Sequence, residues 1–375
     1  MSDSHCRWGI IGTSQIARKN WHAIRNSGNG QLVAVASRSV DRAQEYIKEN
    51  QAQVPHDPVP RACGSYEEII EADDIDAVYI PLPTGIRKEV VLQAAAAGKH
   101  VLCEKPCGKD SAEVREMIEA CAAAREGKGV QFMDGVMFMH SDRLPRLREE
   151  LDRGDSIGNL KRIATQISFM APEDFLKENI RVHSDLEPLG SLGDLGWYCI
   201  RFILWTKRYE MPTRVRAHMI RESGRPDSPD SVPISLSAEL DFADGVTGSF
   251  YCSFETEHQQ WVNVSGTKGH ITMNDFVLPF DGAEAAFKIE QAHFETDVCQ
   301  FSMERHSRRI AVREHGSNHP TSQETKLFRN FANLALSGNP DSHWPTITLQ
   351  TQEVLDACLQ SARSQGAAVA PGTSL

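Results

Sequence analysis

The chain has 375 residues, and at roughly 100 to 200 residues per domain this length predicts two domains with a sizeable core. Its 40 Lys and Arg against 51 Asp and Glu give a net charge of −11, which repels phosphate backbones and anionic lipid and argues against nucleic-acid and membrane partners. No apolar run approaches the ~18 residues of a bilayer span, MSDSHCRWGII carries no apolar leader stretch, and the 9 cysteines include no CxxC pair, so a cytoplasmic protein with reduced thiols and no metal site is expected.

The segment RWGIIG reads as a short buried strand entering a glycine turn, and Gln15 to Ser27 carry helix spacing at Ile16, Trp21 and Ile24. The unit then repeats: QLVAVAS, DAVYIP and HVLCEKP read as strands, VDRAQEYIKEN and IRKEVVLQAAAAG as helices, the second ended by Gly98. Ser65 with Glu68 and Asp110 with Glu113 have capping-box spacing, and the helix after Asp110 should bury Val114, Met117, Ile118 and Cys121. Strands alternating with helices over short connections predict a doubly wound parallel sheet, whose ligand crevice lies at the carboxyl ends of the strands.

The turns at those ends are therefore the candidate sites. Gly12-Thr13-Ser14-Gln15-Ile16-Ala17 fits a GxGxxG/A dinucleotide turn with Ser14 standing for the second glycine. Backbone N–H groups and a helix N-terminus could hold a pyrophosphate there, although a plain tight turn would have the same sequence. The second strand ends Ala36-Ser37-Arg38-Ser39, without the carboxylate that would bond a ribose 2′-hydroxyl. Arg38 between two hydroxyls suits a 2′-phosphate, so NADP is expected; Asp41, in the first turn of the next helix, keeps NAD open. Pro83 and Thr84, at the exit of DAVYIP, are further candidate cofactor contacts.

From about Lys161 the pattern changes. KRIATQISFM, TRVRAHMI, VPISLSAELDF, VTGSFYCSF and QQWVNVSG read as strands of an antiparallel sheet, with Ala243-Asp244-Gly245 as a hairpin turn. Ile234, Leu236, Ala238, Leu240 and Phe242 alternate onto one face, while Ser, Thr, Tyr and Glu occupy the other. His315 and His319 share a polar loop and are expected to be solvated. ETKLFRNFANLALSG and TLQTQEVLDACLQSARSQG read as helices, and the tail GAAVAPGTSL as disordered.

Glu104-Lys105-Pro106, together with GIIGTSQIA, ASRS and IPLPT and with PLGSLGDLGWYCIRF in the second half, resembles the Gfo/Idh/MocA family over most of the chain. The tyrosine form of its DxGxY/H motif is similar to the branch of trans-dihydrodiol dehydrogenase and NADP-dependent D-xylose 1-dehydrogenase and to their plant and bacterial relatives. The resemblance implies an N-terminal Rossmann domain over 1–135 and a substrate and oligomerisation domain with an open, mostly antiparallel sheet over 136–345. It also implies a last helix over 346–375 that returns to the first domain, and a homodimer built on the open sheet face. It makes Lys105 the active-site lysine, Asp194 a ligand of the substrate hydroxyl and Tyr198 the proton-transfer residue, with Glu104 and Lys105 also near the cofactor. Arg87 stands where relatives often have histidine, as a cation on the cofactor side, and the glycine run before the catalytic helix is reduced to Gly190 and Gly193.

Asp194 and Tyr198, four apart, would share one helix face with Arg201 close behind, while Leu195, Cys199, Phe202 and Ile203 form an apolar stripe. For Tyr198 to act as a base near pH 7 its pKa must fall by roughly 3 units, about 4 kcal/mol, and a nearby lysine cation works in that direction. The implied activity is hydride transfer between NAD(P) and a carbinol or carbonyl carbon of a sugar, polyol or cyclic diol. A non-catalytic NADP sensor of the same fold is the alternative, and an oxidoreductase that recycles its cofactor without release a second one.

Overall fold

In the computed structural model, which describes residues 5–372, the alternation of the first third becomes a parallel sheet. Its first half is β1 (Cys6–Ile11), α1 (Gln15–Ser27), β2 (Gly30–Ala36), α2 (Val40–Gln53), β3 (Arg61–Cys63) and α3 (Glu67–Ile70). Its second half is β4 (Ala77–Ile80), α4 (Thr84–Ala96), β5 (His100–Cys103), α5 (Ser111–Ala123) and β6 (Phe132–Asp134). The strand order β3-β2-β1-β4-β5-β6 reverses between β1 and β4, so the crevice opens over the turns that follow Ile11 and Ile80. Local chemistry starts these helices as the sequence suggests. Ser14, Ser39 and Asp110 accept from the backbone N–H groups of Ala17, Arg42 and Glu113, and Ser65 and Glu68 satisfy each other. Val114, Met117 and Cys121 of α5 are buried, whereas Ile118 is half-buried.

After β6 come α6 (Arg143–Arg153), β7 (Leu160–Met170), α7 (Phe175–Glu178) and a π-turn over Leu192–Gly196 that runs into α8 (Trp197–Thr206). Then follow β8 (Arg214–Ser223), β9 (Val232–Asp241), β10 (Thr247–Ser253), β11 (Glu255–Gly266), β12 (His270–Met273), β13 (Glu284–Asp297) and β14 (Gln300–Arg313). The chain finishes with α9 (Gln323–Ser337) and α10 (His343–Arg363). The second sheet has the order β14-β13-β12-β11-β7-β10-β9-β8 and is antiparallel except where β10 runs parallel to β7. The stripe of Cys199, Phe202 and Ile203 is buried with the core side of this sheet, and Trp261, Tyr251, Gln166 and Ser249 lie on the open side.

Several expectations are corrected. The β13–β14 hairpin is absent from the sequence reading because its outer half is exposed on both faces, which leaves no apolar alternation to read. Helix α9, expected within 136–345, instead covers the first sheet: Phe328 and Phe331 meet the Trp8 ring at centroid distances of 5.2 and 5.1 Å. The tail is tied down, since Val369 exchanges two backbone hydrogen bonds with Val215 of β8; residues 373–375 lie outside the described residues. His315 and His319 are half-buried and stacked, both bonded to the Thr321 hydroxyl.

Arg201 does not follow Asp194 and Tyr198 to the cleft. It is fully buried, with Nη2 2.5 Å from Oδ2 of an equally buried Asp134 at the end of β6. Its Nε donates to Thr351 of α10, and the Trp197 indole donates to the same Asp134 oxygen. One carboxylate thus fastens the edge of the first sheet to α8, and α8 to α10. Removing one partner leaves a charge buried without compensation, so Asp134→Ala should lose about 3–5 kcal/mol of stability in chemical denaturation.

Candidate active site

The turn after β1 has the geometry a dinucleotide requires. Gly12 sits at φ +109°, where a side chain is strained, and a Cβ there would lie 2.9 Å from Leu82 Cδ2. Thr13 and Ser14 are half-buried, Gln15 and Ile16 exposed, and the first turn of α1 carries no acid, so its positive end is left open to an anion. The Ser37 hydroxyl lies 3.4 Å from that of Thr13, and Arg38 is exposed beside it at the end of β2. Asp41 is a first-turn residue of α2. These groups fit a nucleotide with an extra phosphate: backbone donors, hydroxyls and one arginine, with no carboxylate in the turn.

Three other expected cofactor contacts are turned into the protein. The Arg87 guanidinium is buried and donates to the carbonyls of Leu82, Glu104 and Pro106, at 3.0 Å from Leu82 and 2.6 Å from Glu104. It closes the turns after β4 and β5 rather than offering a cation to the crevice. Glu104 accepts from the Tyr79 hydroxyl at 2.7 Å and from the Lys105 backbone N–H, and burial raises its carboxyl against the pull of Tyr79, Lys105 and Arg87. Thr84 gives its amide and hydroxyl to the Glu187 carboxylate, at 3.1 and 2.6 Å. Pro83 stays half-exposed. The loop bearing Glu187 presses so closely on α4 that a Cβ at Gly85 would lie 1.7 Å from the Asp185 carbonyl oxygen.

Lys105, Asp194 and Tyr198 do come together. The Lys105 ammonium donates to Asp194 Oδ1 at 2.8 Å and to the Asp194 carbonyl at 2.7 Å, and lies 4.7 Å from the centroid of the Tyr198 ring. The Tyr198 hydroxyl is 3.8 Å from Met137 Sδ, with the Phe138 ring alongside. His140, further along that segment, is buried and stacked on Trp344. Gly193 of the shortened glycine run belongs to the π-turn that presents Asp194.

Arg181 is a member of the site that the sequence did not reveal. Its Nε lies 2.8 Å from Asp194 Oδ2, so each carboxylate oxygen of Asp194 faces a cation. No local signal marks Arg181: it sits in a short 3₁₀ turn, Ile180–Val182, between recognisable elements.

These contacts set the charges. Burial acts to raise the Asp194 carboxyl, but Arg181 and Lys105 outweigh it and hold the group well below the usual carboxylate range. Burial likewise acts to lower the Lys105 ammonium, and Asp194 and Tyr198 reverse that, so it stays charged. The Tyr198 phenol is pushed up to about 12 by burial, with Lys105 opposing and Glu104 and Asp194 assisting. Lys105 thus pulls the phenol down without overcoming its burial.

Two family models match the chain: the one described as "Oxidoreductase family, NAD-binding Rossmann fold" over residues 6–132, and the "GFO/IDH/MocA C-terminal domain" over residues 146–272. The trans-1,2-dihydrobenzene-1,2-diol dehydrogenase of Bos taurus is 34% identical over 275 residues, 72% of this chain and 74% of that protein. The "D-xylose 1-dehydrogenase (NADP(+)) 2" of Haloferax volcanii is 31% identical over 272 residues, 71% of this chain and 75% of its own length. Among solved structures, a 3-ketoreductase from Actinomadura kijaniata in complex with NADP and TDP-benzene superposes with a TM-score of 0.78 at 25% identity, covering 96% of this chain and 98% of that one. A levoglucosan dehydrogenase in complex with NADH and levoglucosan shares the fold at a TM-score of 0.79 and 17% identity, over 99% of this chain and all of the other.

The charge balance predicts a titration. A phenol raised above its ordinary value near 10 contributes stability that is present below that value and lost as pH rises toward about 12. Ultraviolet titration of wild type against Tyr198→Phe should then show no difference attributable to Tyr198 through pH ~11. Asp194→Asn, by removing a negative neighbour and freeing the Lys105 charge, should bring that ionisation to lower pH.

Proposed function

This chain belongs to the Gfo/Idh/MocA family of NAD(P)-dependent oxidoreductases, and we propose that it moves a hydride between NADP and the carbinol or carbonyl carbon of a sugar, polyol or cyclic diol. The observation that carries the reading is the Lys105 ammonium held between Asp194 and the Tyr198 ring, on the strand-end edge that also bears the Gly12 turn. The substrate class is supported by the diols and sugars named for its relatives. Gly12, Thr13, Ser14, Gln15 and Ile16 with Ser37, Arg38, Pro83 and Lys105 would hold the cofactor, and the bound nicotinamide supplies or takes the hydride.

The chain's own part is the proton. A buried phenol with a pKa near 12 is a donor, so Tyr198 would give its proton to the oxygen of a carbonyl as that oxygen becomes an alkoxide. The Lys105 cation stabilises the phenolate left behind. In the reverse direction the phenolate would take the carbinol proton, with Lys105 again stabilising the charged form. Asp194 keeps Lys105 charged and aimed, and Arg181 holds the other oxygen of Asp194. The open sheet face, with Trp261 and Tyr251 half-buried in a monomer, supports a homodimer.

Lys105→Met and Tyr198→Phe should each lower kcat by about 10²–10⁴-fold, and Tyr198→Phe should do so with cofactor affinity retained. Arg38→Ala should cost NADP about tenfold more affinity than NAD, the worth of a charge-assisted contact. Protein that leaves NADP(H) unchanged across a panel of aldoses, inositols, trans-diols and their carbonyl forms would overturn the catalytic reading in favour of a nucleotide sensor. Sedimentation showing single chains at micromolar concentration would overturn the dimer.

A further inference from the structure

Two cations meet on Asp194, and only one of them, Lys105, lies against the Tyr198 ring. Lys105 and Arg181 are two cations on a single carboxylate, and they differ in access: the Lys105 side chain is 9% exposed and that of Asp194 15%, but that of Arg181 is 43% exposed. The nearest approach of Arg181 to Asp194 is through Nε. Among the described residues its Nη1 and Nη2 bond to nothing, so the forked end of the guanidinium faces solvent at the edge of the site.

This presentation is built rather than incidental. The Arg181 backbone N–H is held by Asn179 Oδ1 at 3.0 Å, and the Val182 carbonyl accepts from the Arg225 backbone. Further along the same segment, Gly85 N–H donates to the Leu186 carbonyl and Glu187 clasps Thr84. Glu187, the other carboxylate within electrostatic reach of Arg181, has both oxygens committed to Thr84 and is not free to close over the fork. A guanidinium whose two terminal amino groups are free in one plane matches the two oxygens of a carboxylate.

We propose that Arg181 is a specificity-determining residue that binds a carboxylate on the substrate, a few bonds from the reacting carbon, so that the preferred substrates are sugar acids or other polyhydroxy acids. This rests on the oxidoreductase reading for its chemistry and adds to it the charge of the substrate. Arg181 touches neither the hydride nor the proton that moves; it selects and orients the acid through its half-exposed guanidinium. A phosphate ester is the poorer match, because a single free guanidinium would leave a dianion undercompensated.

The test is equilibrium binding of matched acid and neutral pairs to the full chain: D-glucuronate with D-glucose, D-galacturonate with D-galactose, D-gluconate with D-glucitol, and glycerate with glycerol. Binding is followed by nicotinamide fluorescence with NADPH present and by calorimetry without it. For at least one pair the acid should bind about tenfold or more tightly than its neutral mate, the worth of one charge-assisted bidentate contact. In Arg181→Gln that advantage should fall below about twofold, and Arg181→Lys should retain part of it. If no acid in the panel outbinds its mate, or if the preference survives Arg181→Gln, the inference is wrong. Failure of the underlying reading looks different. NADPH that does not bind, or is never oxidised by any carbonyl compound, would remove the oxidoreductase proposal, while an acid preference lost with Arg181 would still stand in the calorimetric arm.

Discussion

The pairing of Arg201 with Asp134 holds the two halves of the molecule in register. Both side chains are withdrawn from solvent, and burying two charges is costly unless each finds the other in good geometry with its remaining hydrogen bonds satisfied. Here they do: Asp134 also takes the Trp197 indole, and Arg201 also gives to Thr351. Trp197 and Arg201 are four residues apart, one turn of α8, so both reach the same carboxylate and fix how the helix is rotated about its axis. Tyr198, the next residue after Trp197, is thereby turned about 100° away from Asp134 and onto Lys105. A pair with no part in the chemistry decides where the phenol points.

A second layer of constraint surrounds the turns at the strand ends. Arg87 gathers the carbonyls of Leu82, Glu104 and Pro106, so the segments that leave β4 and β5 are stitched together beneath the site. Glu104 hangs from Tyr79, which in turn is held by Asn20 of α1, connecting the strand end at Lys105 to the helix that opens the nucleotide turn. The lysine is thus carried on a rigid, hydrogen-bonded floor. Its charge is balanced from above by Asp194, which the π-turn brings in with both its carboxylate and its backbone carbonyl. This arrangement explains why the lysine remains an ammonium despite burial, while burial itself keeps the phenol protonated beside it. Its cations are held in place by the fold itself, which is the preorganisation the proposed proton donor needs.

Much of this was legible in the sequence where the information is local. Apolar periods of two and 3.6 residues marked β1, β2, β4, β5 and β7 to β11, while the three-residue β3 and β6 are too short to show a period, and hydroxyl or carboxylate caps marked the helix starts, because these patterns follow from repeating backbone geometry. The Gly12 turn and Arg38 were visible because a nucleotide turn is contiguous in sequence. Lys105, Asp194 and Tyr198 were found through resemblance, and the fold then brought them within bonding distance although Lys105 and Asp194 are 89 residues apart.

What the sequence could not determine is how long-range partners dispose of polar groups. Thr84, Arg87 and Glu104 occupy the right turns, yet their side chains were captured by Glu187, by backbone carbonyls and by Tyr79, which only the packing of distant segments supplies. Arg201 has the spacing of a cleft residue and was drawn into the core by Asp134, 67 residues earlier in the chain. Arg181, on a turn without periodicity, became part of the site because Asp194 had an oxygen left to satisfy. Sequence periodicity determined which elements form and which face of each is apolar. Tertiary structure alone decided which charge met which, because a buried ion pair is chosen by proximity in space and by the cost of leaving either partner without the other.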